Sequence, residues 1–155
     1  MIRLNQAQRK QLSGLISSGR LREVPQDRDR AGIFLAHARE GLDASAQIPT
    51  PHVVFDVAYN AAHDSGEALM AALGVRPGRG DGAHATVGSV LTIMAEGSPF
   101  AGSARAYDAL RQARNRVRYE AGDVGRAQAD HALKVAADLV VFVSQALGAL
   151  EGDQT

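Results

Sequence analysis

The chain has 155 residues, a formal net charge of zero and no cysteine. A domain of this length can bury a sizeable core, and the lack of cysteine excludes disulfides, thiolate catalysis and cysteine-ligated zinc. Because a neutral molecule has no overall field that attracts a polyanion, any binding of nucleic acid has to come from a local cluster among its fifteen arginines and two lysines.

Helical periodicity dominates the first half of the chain. It predicts a first helix over residues 5–17 and a second that begins after Asp27, whose carboxylate is suited to accept from the free N–H groups of a first helical turn. A third helix is predicted over 51–73. Pro51 suits its first turn, where the missing N–H costs nothing, and Gly74 suits its C-terminal cap.

The second half begins with the segment GVRPGRGDGAH, which holds four glycines and a proline and is predicted to be flexible. No strand is expected before it and no Gly-Lys-Ser/Thr follows it, so it does not predict a phosphate-binding P-loop. Further helices are predicted over 83–95, 103–119 and 126–150. The last of these is apolar on nearly all sides from Leu139 onward, which predicts a central position in the fold.

Together these elements predict an all-α fold, an up-and-down bundle of about five to six helices. The expected organisation is an N-terminal helix in residues 1–20, a helical bundle over 21–150 and a disordered tail over 151–155. The uncharged run 139–150 is shorter than the roughly 20 apolar residues that a membrane span needs, and the segment MIRLNQAQRKQ has no apolar signal peptide. A cytoplasmic protein without a membrane span is therefore expected.

The charges are most concentrated in the segment LRQARNRVRYE, where four arginines fall in eight residues. Helical spacing places one stripe of polar residues on a single face: Tyr107, Arg111, Arg114, Asn115 and Arg118. Because like charges three and four residues apart destabilise a helix, this stripe requires either acids on a neighbouring helix or an anionic ligand.

The third helix has a polar stripe of its own at helical spacing: Asp56, Asn60, His63 or Asp64, and Glu67. Two interpretations stay open from the residues alone. The two stripes are solvated or paired with each other, or they converge on a site for a phosphate-bearing ligand, which the planar guanidinium group of arginine binds well.

The segment VVFDVAYNAAHDSGEALMAALGVRPGRGDGAHATV resembles a stretch typical of HEPN (higher eukaryotes and prokaryotes nucleotide-binding) domains. The segment RNRVRYE resembles the second signature of that family, an Arg-Asn pair that heads a motif ending in histidine or an aromatic residue. The resemblance runs from about Leu21 to Leu150. It implies a helical bundle that forms a homodimer, with the arginine motifs of two copies meeting in a shared cleft.

The same resemblance implies a role in RNA or nucleotide binding, within a toxin–antitoxin or defence-type system. Many HEPN domains are metal-independent endoribonucleases, in which a histidine four to six residues after the motif arginine acts as acid or base. Here the position that corresponds, counting from Arg114, is Tyr119. No histidine lies between His84 and His131, which argues against the usual ribonuclease chemistry and leaves Arg114 and Tyr119 as the catalytic candidates.

The expected nucleotide- or RNA-binding residues are therefore Arg111, Arg114, Asn115, Arg118 and His84. The pair His63 and Glu67, four residues apart, is interpreted as a surface pair and not as a metal site, and no metal or other cofactor is expected. Tyr59 is interpreted as a core or dimer contact.

Three functions stay open: a HEPN-like binding module without strong catalysis, an active endoribonuclease of the same fold, and a non-enzymatic helical adaptor whose arginines form salt bridges. Some HEPN proteins are paired with a small nucleotidyltransferase, which modifies a tyrosine near the motif with AMP. The resemblance thus implies a nucleotidyltransferase or toxin–antitoxin partner, and Tyr119 as a candidate for modification.

Overall fold

The computed structural model describes residues 3–152. Within that range the chain forms six helices and two short strands: α1 (Gln6–Ser17), β1 (Leu21–Glu23), α2 (Arg28–Ser45), α3 (Pro51–Leu73), β2 (Val75–Pro77), α4 (Ala83–Ala95), α5 (Ala101–Tyr119) and α6 (Arg126–Gly152). The mostly helical architecture confirms the prediction of a helical bundle. The last helix continues to Gly152, and residues 153–155 of the predicted tail lie outside the described residues.

The helix ends follow local chemistry that the sequence displays. Asn5 forms a capping box with Gln8, in which the Asn5 side chain accepts from the Gln8 N–H at 2.8 Å and the Gln8 side chain accepts from the Asn5 N–H at 2.9 Å. Asp27 caps α2 as predicted, and Gly74 ends α3 in the left-handed region at φ +77°. The predicted bounds of α3 and α4 are confirmed, whereas α5 begins at Ala101 and not at Ser103.

The two strands correct the prediction that residues 75–77 are flexible and that no strand precedes the glycine-rich turn. β1 pairs antiparallel with β2, with Leu21 opposite Pro77 and Glu23 opposite Val75. Leu21 and Val75 are only 2% and 6% exposed, so burial of one side chain from each strand favours the pairing. Strands of three residues are too short to show an alternating pattern in the sequence.

The core is centred on α3, of whose 23 residues thirteen are buried. α2 and α6 cover it most extensively, and α4 and α5 pack on its remaining side. The prediction of a central α6 is therefore wrong in detail. Its Leu139 and Val143 are fully buried, but Val141 is 46% exposed, so α6 is a flank of the bundle with one face toward solvent.

One helical segment among residues 3–152, Arg126–Gly148, is long and apolar enough to cross a membrane by length and composition. The core helices of soluble proteins pass the same test, and Leu139 and Val143 of this segment are packed in the protein interior. Length and composition of this segment are therefore weak evidence for a membrane span.

Two glycines allow α3, α4 and α5 to approach one another closely. A Cβ atom on Gly66 of α3 would overlap with the side chain of Val87 on α4, and a Cβ atom on Gly88 would lie 2.8 Å from Cδ1 of Tyr107 on α5. Real side chains do not approach so closely, so the lack of a Cβ at Gly88 is what lets the Tyr107 ring lie this near to α4. This approach brings polar groups of the three helices together.

Candidate functional site

Two tyrosines lie at the centre of the contact between α3 and α5. Tyr59 of α3 and Tyr107 of α5 are both fully buried, and their hydroxyl groups lie 3.2 Å apart. A buried phenol requires a hydrogen-bond partner, and here each tyrosine is one partner of the other. Burial raises the pKa of both phenols, so both stay protonated through the physiological range.

Each tyrosine also contacts a histidine. The hydroxyl of Tyr59 lies 2.7 Å from Nδ1 of His84, at the start of α4, and the hydroxyl of Tyr107 lies 2.9 Å from Nδ1 of His63 on α3. The two imidazole rings stack on each other with centroids 4.1 Å apart and planes 16° apart. These four residues, Tyr59, His63, His84 and Tyr107, are called the tyrosine–histidine cluster below.

Glu67 lies at the inner end of this cluster. Its Oε1 is 3.4 Å from Nε2 of His63, and the two side chains are only 19% and 18% exposed. The contact agrees with the interpretation of His63 and Glu67 as a pair, but both side chains are more covered than those of an ordinary surface pair, because α4 and α5 pack near this face of α3. The hydrogen bond from His63 holds the pKa of Glu67 below its usual range despite burial, so Glu67 is a carboxylate that only accepts.

His84 lies at the opposite end, where it is exposed to solvent. Burial of part of the ring, together with the charges of His63 and Arg114, lowers its pKa. A neutral imidazole at neutral pH follows from this shift. Within residues 3–152, the Nε2 atom of His84 has no hydrogen-bond partner from the chain, so this nitrogen is free to meet solvent or a ligand.

Arg114 covers the cluster from the side of α5. Its guanidinium carbon lies 4.8 Å from the centroid of the Tyr59 ring, a cation–π geometry. Its Nε is buried, yet no acceptor among the described residues lies within hydrogen-bond distance. Leaving such a donor unsatisfied costs about 1–3 kcal/mol, and more for a charged group.

The other predicted arginines have acidic partners. Arg111 bonds through Nε to Oδ1 of Asp108 at 2.9 Å, on its own helix. Arg118 lies 3.8 Å from Oδ2 of Asp56 on α3, a long contact between half-exposed side chains. In the described part of the chain the two polar stripes therefore share one long ion pair, in addition to the hydrogen bond between His63 and Tyr107. Oδ1 of Asp56 is itself buried without a donor.

The structure divides the predicted site residues into two groups. Arg114 and His84 meet at the tyrosine–histidine cluster, and the charge of Arg111 acts on Tyr59, Tyr107 and His84. Asn115, Arg118 and Tyr119 do not join them: all three are exposed, Tyr119 by 83%. Tyr119 is thus not brought to the place where the other candidates meet.

The sequence analysis placed Tyr107, His63 and Glu67 on the two polar stripes but named none of them as a binding residue, and it assigned Tyr59 to a core or dimer contact. A usable signal existed for Tyr59, because Tyr59, His63 and Glu67 recur every four residues and so share one face of α3. The described residues contain no group of three or more His, Asp or Glu side chains that could hold a metal ion.

The arrangement combines a cation without a fixed partner, a neutral imidazole with one free nitrogen and a buried chain of hydroxyl and imidazole groups. Such a set can hold an anion and can move a proton near it. Comparisons with known proteins give no relative for this set: no family model matches the chain, and no curated protein and no solved structure matches it significantly.

Proposed function

We propose that this protein is a HEPN-like module that binds a nucleotide or RNA, with the phosphate held by Arg114 beside His84 and Arg111. One observation carries the proposal: the buried Nε of Arg114 lacks an acceptor in the described chain. An anion bound at the Nη groups of Arg114 would neutralise the guanidinium charge, for which the described residues provide no carboxylate partner. The planar donor set of arginine matches the oxygens of phosphate better than those of most other anions.

The geometry around Arg114 supports a fixed and not a mobile cation. Stacking on the ring of Tyr59 holds the guanidinium plane in one orientation, and Tyr59 is itself held by two hydrogen bonds. A donor group that is already oriented loses little conformational entropy when it binds a ligand. Arg111 contributes further, because guanidinium has five N–H donors and the contact with Asp108 uses one.

A second copy of the chain completes the proposal. The exposed C-terminal end of α5 presents one amide and two cations that have no contact shorter than 3.8 Å with polar side chains of the described chain: Asn115, Arg116 and Arg118. In a cytoplasmic homodimer that pairs α5 with its symmetry mate, these side chains would extend the phosphate site into a cleft long enough for an oligonucleotide. A nucleotidyltransferase or toxin–antitoxin partner belongs to the same proposal, with the exposed Tyr119 accessible for modification.

A second candidate function, a metal-independent endoribonuclease, is favoured by the two histidines. The arginine motif on α5 contains no histidine, but the fold brings His84 within 2.7 Å of the hydroxyl of Tyr59, whose ring Arg114 covers. Attack of a 2′-hydroxyl on the adjacent phosphate requires a base and a cation that holds the phosphate. A neutral imidazole next to a phosphate-binding arginine provides both. The third alternative, an adaptor with purely structural arginines, leaves Arg114 without an ion-pair partner.

The binding proposal is tested with fluorescently labelled single-stranded RNA and with mononucleotides as competitors. Arg114→Ala should weaken binding roughly 10- to 100-fold, the effect of losing a charge-assisted hydrogen bond. Arg105→Ala is the matched control, because Arg105 is an exposed arginine elsewhere on the same helix, and it should leave binding unchanged. Equal binding by wild type and both variants, or equal losses in both variants, contradicts the proposal.

The endoribonuclease is distinguished by incubating the protein with RNA in the presence of a chelator. Cleavage that persists in the chelator and is lost in His84→Ala while RNA binding remains would support catalysis. Binding without cleavage in the wild type would leave the binding module as the function.

A further inference from the structure

The tyrosine–histidine cluster and Glu67 form one continuous chain of contacts between a partly buried carboxylate and an exposed imidazole. In order, the contacts join Glu67 to His63 at 3.4 Å, His63 to Tyr107 at 2.9 Å, Tyr107 to Tyr59 at 3.2 Å, and Tyr59 to His84 at 2.7 Å. Each tyrosine hydroxyl has one proton and two polar neighbours, so each donates to one and accepts from the other.

The carboxylate sets the direction in which these protons point. Glu67 only accepts, so the stable neutral form of His63 has its proton on Nε2, facing Glu67, and a lone pair on Nδ1. Tyr107 must then donate to His63. Since the proton of Tyr107 is used there, Tyr59 donates to Tyr107, and Nδ1 of His84 donates to Tyr59. Every contact then holds one proton, and the exposed Nε2 of His84 has a free lone pair.

We propose that this chain is a proton relay in which Glu67, acting through His63 and the two tyrosines, fixes the tautomer of His84. His63, Tyr107 and Tyr59 are positioning residues in this scheme, and His84 is the group that meets solvent or ligand. The relay is a property of the free protein, whereas its use on a bound phosphate rests on the function proposed above.

One added proton reverses the whole relay. A proton that arrives at Nε2 of His84 displaces the Nδ1 proton to the oxygen of Tyr59. The Tyr59 proton passes to Tyr107, and the Tyr107 proton passes to Nδ1 of His63. Both tyrosines end with one proton each, His84 ends neutral with its proton on Nε2, and His63 ends as the imidazolium, so that one proton has been gained in total.

The surroundings favour the positive charge at the His63 end of the relay. His63 is next to the Glu67 carboxylate and near Asp64, while the charges of Arg111 and Arg114 disfavour a cation on His84. Arg30 of α2 also acts on Glu67, and α4 has no titratable residue except His84. Two imidazolium rings 4.1 Å apart would repel each other strongly, so the stacked pair holds a single charge.

The consequence for the site is a nitrogen that changes its role. In the neutral relay Nε2 of His84 accepts a hydrogen bond, and a ligand with a donor group beside its phosphate fits best. In the protonated relay the same nitrogen donates, and a fully ionised phosphate fits best. His84 thereby exchanges a proton with the ligand without carrying the positive charge itself.

The relay is tested on the free wild-type protein by long-range ¹H–¹⁵N NMR of ¹⁵N-labelled histidines, which reports the protonated ring nitrogen directly. Above the ordinary histidine pKa of about 6.5, His84 should be the Nδ1–H tautomer, which is the less common form of a free imidazole. As the pH falls and the relay takes up one proton, His84 should become the Nε2–H tautomer. An Nε2–H tautomer of His84 at high pH overturns the proposal without any variant.

Tyr107→Phe interrupts the relay at its centre while it keeps the ring. Tyr59 then has no acceptor except Nδ1 of His84, so His84 should be the Nε2–H tautomer at high pH and should no longer change together with His63. Tyr119→Phe, which removes an exposed hydroxyl from the same helix, should leave both histidines as in the wild type. An unchanged His84 tautomer in Tyr107→Phe overturns the relay and leaves the RNA-binding test unaffected.

Discussion

The two halves of α5 each contain a tyrosine and at least one arginine, but these residues lie in very different surroundings. In the N-terminal half Ala104, Tyr107 and Leu110 are buried, and Tyr107 has hydrogen bonds to two other helical side chains of the bundle. In the C-terminal half, residues 115–119 are exposed except for Val117, and Tyr119 is 83% exposed. The first half fixes the geometry of the site, whereas the end of the second half supplies exposed charge, with one long contact from Arg118 to Asp56.

This difference separates two physical roles that one arginine-rich helix combines. Polar groups in the N-terminal half have hydrogen-bond partners within the protein, so changing them should alter folding and the protonation of the histidines. Polar groups at the C-terminal end are hydrated, so changing them should alter binding with little effect on folding. Arg114 lies at the boundary, with its guanidinium on a buried ring and its Nε without an acceptor.

The largest contrast is expected between the two tyrosines of α5. Tyr107→Ala removes a fully buried ring and both of its hydrogen bonds, so the free energy of unfolding should fall by about 3–5 kcal/mol, as in other large-to-small core substitutions. Tyr119→Ala removes an exposed ring and should change it by less than about 0.5 kcal/mol. Urea unfolding followed by circular dichroism measures both, and similar losses in the two variants would refute the division of α5.

A smaller contrast is expected between two helical glycines. Gly88→Ala places a Cβ atom 2.8 Å from the ring of Tyr107, and overpacking of this kind costs about 1–3 kcal/mol, partly offset by the better helix propensity of alanine, about 1 kcal/mol. Gly32→Ala is the matched control, since nothing lies within 4 Å of its Cβ. Its stability should rise by about 0.5–1 kcal/mol.

The two glycine variants should therefore move the unfolding midpoint in urea in opposite directions. A gain in stability for Gly88→Ala would mean that the Tyr107 ring shifts without cost and that its position is not set by α4. The ring stacking of His63 and His84 would then also have to tolerate the shift, which histidine NMR of the same variant would reveal.

The sequence predicted the parts of the fold that depend on local chemistry. The caps at Asp27 and Gly74 and the bounds of α3 and α4 follow from short-range rules, and all were confirmed. The pairing of β1 with β2 was missed because it joins residues more than fifty positions apart. No local pattern in either three-residue segment predicts that pairing.

The site was predicted in part, for a related reason. The arginine spacing on α5 drew attention to Arg114, but the ring that Arg114 contacts belongs to Tyr59 on another helix. His63 was taken for a surface residue because nothing in its own helix shows that α4 and α5 cover it. His84 was expected as a binding residue, but its contacts with Tyr59 and His63 could not be predicted, because they form only where Gly66 and Gly88 allow three helices to approach.

The smallest effect is expected from pH. The pKa of His84 is lowered in the folded protein, mainly by burial and then by His63 and Arg114, so the unfolded chain binds more protons at this residue below its ordinary pKa of about 6.5. This contribution to stability is present above that pH and is lost as the pH falls through the lowered pKa of His84.

His84→Gln keeps a polar group near Tyr59 but removes the titrating imidazole, so its urea midpoint should depend less on pH below about 6.5 than that of the wild type does. His131→Gln, at an exposed histidine of α6, is the control and should follow the wild type. Identical pH profiles for wild type and His84→Gln would contradict the prediction. They would show that His84 is as well hydrated in the folded protein as in the unfolded chain.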